Sequence, residues 1–261
     1  MSPRLGTFLL KALVLLGYAH AWGEDGHSIV AAIAQRIVSD RVIEGVNETL
    51  GRGQDMIGVA CWADKASHSA QYRWTAPLHF VDTPTKQCQM VYERDCRGDF
   101  CVIGAIYNYT NRAISKSVSR AEREFAMKLV IHFLGDIHQP LHVGFGGDRG
   151  RKDSELIVMR IFFTIRDEFE LRVQRRREHR KIPPHPPYRH KFEERWHELF
   201  EHLWTKLSKG GEYAKHREEW LAPCRQNGLQ ECTKTMAEES LAVACTAAWV
   251  SITHLVFQWR R

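Results

Sequence analysis

The chain has 261 residues, of which 44% are hydrophobic and 26% are charged. This balance excludes a disordered or collagen-like protein, and the length is ample for the core of one large domain or two small ones. The formal net charge is +6. An anionic partner is compatible with this charge but is not required by it, because a solvated basic surface without function gives the same value.

The N-terminus has the pattern of a signal peptide. Arg4 precedes an apolar run over 8–17, which Lys11 interrupts, and the segment ends with Ala19-His20-Ala21. Small residues at the first and third places of that triplet suit signal-peptidase cleavage, and the run is too short to span a bilayer. We therefore expect residues 1–21 to be removed and the mature chain to begin at Trp22. The alternative is an N-terminal helix packed in the core.

Export makes the seven cysteines candidates for disulfide bonds. Two pairs each enclose a short loop with turn residues, which favours local bridges, and two of the remaining cysteines are left for a long-range bond. The count is odd, so one cysteine stays free. The predicted bonds are Cys96–Cys101, Cys224–Cys232 and Cys88–Cys245, with Cys61 unpaired.

Two sequons are consistent with the same compartment. Asn47-Glu48-Thr49 and Asn108-Tyr109-Thr110 are acceptor sequences for N-glycosylation. Together with the signal peptide, they predict a glycoprotein that is secreted or resides in the lumen of the secretory pathway.

Helical periodicity dominates the chain. Apolar residues recur at helical spacing over 27–38 and 120–137, where Pro140 stops the second helix, and the segments 196–207 and 237–257 also have helical character. Strand-like alternation is scarce, and 82–98 has the pattern of a cysteine-containing loop. The sequence predicts an all-α protein with long loops, stabilised by disulfides.

Two segments leave alternatives open. Residues 146–195 are rich in Arg and contain four prolines between 183 and 187, which excludes a regular helix there. This segment is either a basic surface loop, which we favour, or a nucleic-acid contact. The apolar stretch 241–259 carries several polar residues, so we expect a buried helix rather than a membrane anchor.

Candidate metal ligands concentrate in the string HFLGDIHQPLH at 132–142. His132 and Asp136 lie four residues apart on a predicted helix, so their side chains leave the same face and can share a metal ion. His142 follows the Pro140 break, after which the chain can fold back toward them. Further N and O ligands are available elsewhere: Asp64, His79, His27 and the free α-amine that cleavage would create at Trp22.

Five strings carry a resemblance: WGEDGH (22–27), WAD (62–64), PLHFVD (77–82), YERDC (92–96) and HFLGDIHQPLH (132–142). In this order they resemble the type I single-strand-specific nucleases, a family of secreted zinc enzymes that also act as 3'-nucleotidases. The resemblance covers residues 22 to about 147. It implies an all-helical fold similar to that of zinc phospholipase C, with a cluster of three zinc ions at the base of a cleft, in a single nuclease domain over 22–261.

The resemblance also implies the role of each matching residue. Asp64, His79, His132 and Asp136 would hold the first zinc. Trp22, through its amine and carbonyl oxygen, His27 and the bridging Asp136 would hold the second, and His142 would be the first ligand of the third. Phe80 and Asp82 would bind the nucleobase by stacking and hydrogen bonding. A zinc-bound hydroxide near Asp136 would attack the phosphorus, so that no side-chain nucleophile is needed and the products carry 5'-phosphates.

The chain departs from the family in one part of the proposed centre. The His and Asp that complete the third zinc site in the family are absent, and His179, His185, His190 and His197 lie within that span, with His197 the best substitute. The pattern after Cys245 is also unfamiliar, so we expect a C-terminus truncated relative to the family. Two alternative functions follow: a catalytically impaired relative that binds zinc and nucleic acid, and a zinc phospholipase.

The expected partners follow from the leading interpretation. Single-stranded DNA and RNA and 3'-nucleotides would be substrates, and the resemblance predicts no dedicated protein partner. We expect a monomer.

Overall fold

The computed structural model describes residues 24–84, 87–146 and 193–245, and this part of the chain is mainly helical. The prediction of a helical fold is thereby confirmed. The α-helices of the described residues are α1 Glu24–Ile37, α2 Asp40–Leu50, α3 Met56–Val59, α4 Trp62–Ser67, α5 Tyr92–Asp95, α6 Val102–Ile114, α7 Arg120–Ile137, α8 Glu193–Leu207 and α9 Arg217–Val243. Short 3-10 helices cover Arg73–His79, Arg97–Asp99, Pro140–His142 and Ala214–His216.

Helix α7 lies at the centre of the fold and has the bounds that the sequence predicts. It begins after Ser119, whose Oγ accepts a hydrogen bond from the backbone N of Glu122 at 3.1 Å. This capping bond satisfies one of the N–H groups that a helix start leaves without a partner. Its apolar face contributes Leu129, Phe133 and Ile137 to the main core, together with buried residues of α6. The face that α7 buries is therefore set by local sequence alone.

Two short strands, β1 Val81–Thr83 and β2 Val143–Phe145, form a parallel pair. Asp82 pairs with Gly144, and the backbone N of Gly146 donates to the carbonyl of Thr83 at 2.8 Å. The loop predicted over 82–98 is wrong at its start, where β1 forms, and at α5. The strand forms because it pairs with β2. This partner lies far along the chain, so a local sequence pattern does not reveal the pairing.

Three disulfide bonds join the pairs that the sequence analysis expected: Cys88–Cys245, Cys96–Cys101 and Cys224–Cys232. Cys88–Cys245 ties the loop before α5 to the residues that follow α9. Cys61 is free and buried. Burial, followed by the nearby carboxylates of Asp64 and Glu24, raises the pKa of the Cys61 thiol to about 12, so the thiol stays protonated at neutral pH.

Helix α9 closes the core over the C-terminal end of α7. It is interrupted at Gly228, where φ is +81°, and its second half buries Ala237 and Leu241. Ser240 Oγ donates a hydrogen bond to the carbonyl of Ile137 at 2.7 Å, which satisfies a carbonyl at the end of α7. The predicted helix 237–257 is observed as far as Val243.

Several expectations lie outside the described residues. These are the signal peptide, Trp22, most of the basic segment 146–195 and the tail from residue 246 onward. Among the helices that the structure describes, none combines the length and the apolar character needed to cross a bilayer.

We expect Gly104→Ala to destabilise the protein. A Cβ on Gly104 in α6 would lie 2.2 Å from the carbonyl oxygen of Asp99, in the loop that the Cys96–Cys101 bond closes. Because the clash is with backbone, relief requires a shift of the loop, at about 1–3 kcal/mol. Urea denaturation measures the change in the free energy of unfolding.

Gly45→Ala in α2 is the matched control, since nothing lies within 4 Å of the position that its Cβ would take. Higher helix propensity should make that variant about 1 kcal/mol more stable. Equal effects of the two substitutions would contradict the packing that the structure shows at Gly104.

Candidate metal centre

The centre is built on the last two turns of α7. His132 and Asp136 lie one turn apart on its inner face and are almost fully buried. His132 Nε2 lies 3.2 Å from Asp136 Oδ2. An ionised carboxylate buried in this way needs positive partners close by. Imidazole nitrogens from the surrounding elements lie around this carboxylate.

His79 and Asp64 approach from the opposite side. His79 ends the 3-10 helix Arg73–His79, and its Nδ1 lies 2.9 Å from Asp136 Oδ2 and 3.1 Å from His132 Nε2. Asp64 on α4 places Oδ1 3.4 Å from His132 Nε2 and 3.7 Å from His79 Nδ1. The Asp64 side chain is 48% exposed, so this carboxylate lies where the centre opens to solvent.

His27 reaches the same carboxylate from the first turn of α1. Its ring stacks on His132 with the centroids 4.0 Å apart and the planes at 14°, and its Nε2 lies 3.4 Å from Asp136 Oδ1. His27, His132 and Asp136 form one group of potential ligands, and Asp64, His79 and His132 form a second. Both are groups of nitrogen and oxygen donors of the kind that zinc prefers.

Backbone carbonyls set the orientation of two of these rings. His132 Nδ1 donates to the carbonyl of Ala60 at 2.7 Å, and His142 Nδ1 donates to the carbonyl of His79 at 2.7 Å. Each bond places the ring proton on Nδ1 in the neutral imidazole and leaves the Nε2 lone pair free for the interior. His142 Nε2 then lies 3.5 Å from Asp136 Oδ1. A carbonyl acceptor behind a metal-binding histidine is a usual arrangement in metal sites.

The two oxygens of Asp136 face different sets of nitrogens. Oδ2 lies near His79 and His132, whereas Oδ1 lies near His27 and His142. Oδ1 is buried without a hydrogen-bond partner, as are His27 Nδ1 and His79 Nε2. A buried carboxylate oxygen that two imidazole nitrogens face without a hydrogen bond fits a site for a cation. The donor set therefore fits the metal that the resemblance implies.

The electrostatics of the centre show the same need for positive charge. Burial lowers the pKa of His132, but the carboxylates of Asp136 and Asp64 outweigh it and raise the pKa to about 10. Burial raises the pKa of Asp136, but the imidazoles of His142 and His132 outweigh it and hold the pKa well below its ordinary value. Both shifts show that the centre favours positive charge beside Asp136. A metal cation bound by His132 would displace the proton that this ring holds at neutral pH.

Phe80 and Asp82 follow the centre along β1. The backbone of Phe80 is extended, so Phe80 and Asp82 point to one side while Val81 between them is buried in the core. Phe80 is 38% exposed. An exposed ring and a carboxylate are thus presented on one face, directly after the metal-site residue His79.

The structure does not bring His197 to the centre. His197 lies on α8 with its side chain 60% exposed, and its Nε2 is 3.9 Å from Oε1 of Glu201. Neither potential ligand group of the described residues contains it. The further expected candidates His179, His185 and His190, like Trp22, are outside the described residues.

Sequence reasoning missed two supporting features. A Cβ on Gly135 would lie 2.3 Å from His27 Nδ1, so the glycine leaves the space that the His27 ring fills. The carbonyl of Ala60, the residue that follows α3, accepts a hydrogen bond from His132 Nδ1 and so orients that ring. The position of Gly135 inside HFLGD could have signalled a close approach, because glycine is unfavourable within a helix. No sequence signal marks the carbonyl.

The N-terminal end of α1 is fixed against α4. The carbonyl of Glu24 accepts a hydrogen bond from Cys61 Sγ at 3.6 Å, and its side chain forms an ion pair with Lys65. Both partners flank Asp64 on the chain. The start of α1 is therefore held beside the metal centre.

Comparison with known proteins identifies a matching family. The model of the family described as S1/P1 Nuclease matches residues 22–255. This match extends well beyond residue 147, where the recognisable strings end, and includes α8 and α9.

Curated relatives are similar over a shorter region. Endonuclease 4 of Arabidopsis thaliana is 39% identical over 165 residues, which are 58% of this chain and 55% of that protein. Nuclease P1 of Penicillium citrinum is 38% identical over 126 residues (46% and 47%), and Nuclease S1 of Aspergillus oryzae is 37% identical over 145 residues (54% and 50%). The chain spans about half the length of the curated relatives it matches.

We expect Gly135→Ala to displace His27 from the centre. The added methyl group would overlap the ring, which must leave its stack on His132. The purified variant should bind less metal than the parent, as measured by elemental analysis, while circular dichroism reports an unchanged helical content.

A double-mutant cycle gives the control. Adding Gly135→Ala to a His27→Ala chain should cause no further loss of metal, because the ring that the methyl group displaces is already gone. A further loss in the double variant would show that Gly135 acts by another route.

We also expect the stability of the metal-free protein to depend on His132. Its folded pKa of about 10 lies above the ordinary value of 6.5, so the proton stabilises the folded state fully below pH 6.5, and this contribution is lost as the pH rises toward 10. Urea denaturation in chelator should show falling stability across this interval. His132→Gln should flatten the dependence, and His138→Gln, at an exposed position, should not. An unchanged dependence in His132→Gln would refute the assignment.

Proposed function

The chain belongs to the S1/P1 nuclease family, and from this premise we propose that it is a zinc-dependent endonuclease. Its substrates would be single-stranded DNA and RNA, which it would hydrolyse to 5'-phosphorylated products. It would also hydrolyse 3'-nucleotides as a 3'-nucleotidase. This activity is a phosphodiester and phosphomonoester hydrolysis that needs no side-chain nucleophile.

One observation carries the proposal: the buried carboxylate of Asp136 faces four imidazoles directly beside an exposed ring. The nitrogens belong to His27, His79, His132 and His142. The ring is that of Phe80, which lies between His79 and the start of β1. A metal centre and a stacking residue in sequence on one segment suit a substrate that has both a phosphate and a base.

The resemblance implies which residues would hold zinc, and the positions of the described ones support it. Asp64, His79, His132 and Asp136 would bind the first ion. His27 and Asp136 would bind the second, together with the amine and carbonyl oxygen of Trp22. Glu24 is held beside Asp64, and two residues of chain reach at most about 7 Å. This short reach supports Trp22 as a ligand.

His142 is the candidate ligand of a third ion. Its Nε2 faces Asp136 Oδ1, and it belongs to neither potential ligand group of the described residues.

Zinc bound here would act as a Lewis acid on the phosphate and lower the pKa of a water molecule at the site. The chain's own residues orient the substrate. Phe80 would stack on an unpaired base, and Asp82, on the same face of β1, would accept hydrogen bonds from the edge of that base. A base within a duplex offers neither its face nor this edge, which accounts for the preference for single strands. This pairing also favours a nucleotide over a lipid headgroup.

We propose that the protein is exported. Disulfide bonds between six of its seven cysteines suit an oxidising compartment. Removal of residues 1–21 would expose Trp22 and leave one nuclease domain over 22–261, acting as a monomer. Asn47 and Asn108 would carry glycans, and both lie on helices with Asn108 exposed.

The proposed activity predicts chelator-sensitive release of acid-soluble nucleotides from heat-denatured DNA. Zinc should restore the release, and native duplex DNA should be a poor substrate. Phe80→Ala should weaken substrate binding about 5- to 150-fold, the range for loss of one base stack, measured as a rise in KM for 3'-nucleotides.

Tyr107→Ala is the control for this substitution, because Tyr107 is an aromatic residue of similar exposure on α6. It should leave KM unchanged. A zinc-loaded protein that binds denatured DNA without cleaving it would overturn the proposed catalysis and favour the catalytically impaired relative.

A further inference from the structure

Four aromatic side chains form a patch beside the metal centre. Trp62, Tyr72 and Phe125 contact one another with ring centroids 5.4 to 5.8 Å apart, and Trp74 lies against Phe125 at 6.4 Å. The first three rings are partly buried, whereas Trp74 is 48% exposed. The patch therefore holds one large ring at the surface on a support of packed rings.

The patch shares secondary-structure elements with the metal centre. Trp62 lies on α4 with Asp64, Trp74 lies on the 3-10 helix that ends at His79, and Phe125 lies on α7 with His132. Trp74 precedes His79 by five residues of 3-10 helix, about 10 Å at a rise of about 2 Å. Phe125 precedes His132 by seven residues of α7, about 10.5 Å. Two elements thus place the patch at a similar distance from the centre.

Cationic side chains accompany the rings. Lys128 lies one turn before His132 on α7, with its Nζ 5.3 Å from the Trp62 ring centroid. Lys128 Nζ also forms an ion pair with Glu124 Oε1 at 2.6 Å. Arg73, next to Trp74, is exposed. Aromatic faces with neighbouring cations are the chemistry that binds single-stranded nucleic acid, because every base has a face to stack and every linkage a charge.

We propose that Trp74 forms a second stacking subsite, for an unpaired base of the strand that flanks the reacting phosphate. The spacing of about 10 Å corresponds to about three stacked nucleotides at about 3.4 Å each. A polynucleotide bound at the metal centre would reach Trp74, whereas a mononucleotide would not. The inference rests on the proposed function, since it takes the strand to run through the metal centre.

Trp220 on α9 provides a matched control. It is 46% exposed and has aromatic neighbours, Tyr213 and His216. Its helix carries none of the candidate metal ligands. Trp74 and Trp220 are thus similar in exposure and in having aromatic neighbours. They differ in that only Trp74 lies on an element that carries a candidate metal ligand.

The test compares Trp74→Ala, Trp74→Phe and Trp220→Ala as zinc-loaded proteins. Fluorescence anisotropy measures the binding of a phosphorothioate-linked oligothymidylate of ten residues, and steady-state kinetics measures the hydrolysis of the same oligomer with ordinary linkages and of 3'-thymidylate. Trp74→Ala should weaken oligomer binding about 5- to 150-fold and raise its KM, with 3'-thymidylate hydrolysis unchanged. Trp74→Phe should retain most of the binding.

The outcomes separate this inference from the proposed function. If Trp74→Ala binds and cleaves the oligomer like the parent, or if Trp220→Ala has the same effect, the subsite is refuted while the nuclease stands. Equal loss on the oligomer and on 3'-thymidylate would show that Trp74 supports the centre structurally, which also refutes the subsite. If the parent binds the oligomer through Trp74 but hydrolyses neither substrate, the proposed catalysis fails and the subsite stands. A parent that does not bind the oligomer overturns both.

Discussion

The buried carboxylate of Asp136 is the constraint on which the rest of the centre depends. An ionised group removed from water is strongly unfavourable unless positive charge lies beside it. Four imidazoles converge on its two oxygens from four parts of the chain. Although burial opposes them, the carboxylates of Asp136 and Asp64 raise the pKa of the His132 ring to about 10, so a proton on His132 supplies positive charge beside Asp136. The nitrogens around Asp136 also suit a metal cation. Because either a proton or a cation supplies the positive charge that Asp136 needs, binding of a metal would be coupled to release of the proton.

Helix α7 provides the frame for this convergence, and its end matters as much as its length. His132 and Asp136 need the regular spacing of a helix, whereas His142 must return toward them. The helix ends at Ile137, and the 3-10 turn Pro140–His142 reverses the chain, held by Gln139 Oε1 accepting from the backbone N of Leu141 at 2.6 Å. Gln139 is itself buried. A longer regular helix would carry His142 away from the carboxylate.

The parts that could be predicted from sequence are those that local physics determines. The bounds of α7 follow from its apolar period and the proline beyond its end, and the pairing of His132 with Asp136 follows from helix geometry. Periodicity does not reveal the positions of His27, Asp64 and His79 relative to α7, because these depend on packing between distant segments. Their assignment came from the resemblance. The pairing of β1 with β2 and the space that Gly135 leaves have the same origin in tertiary contacts.

The extended backbone from Phe80 to Asp82 determines which of the side chains after His79 face outward and which enter the core. Extended residues alternate in direction, so the ring of Phe80 and the carboxylate of Asp82 share one side while Val81 enters the core. A slip of one residue would bury Phe80 and expose Val81. The register is held from both sides: the backbone N of Val102 donates to the carbonyl of Phe80 at 3.1 Å, and Thr83 Oγ1 donates to the carbonyl of Gly144 at 3.0 Å. The strand pair is short, but it fixes the position of Phe80 and Asp82 relative to the candidate metal ligand His79.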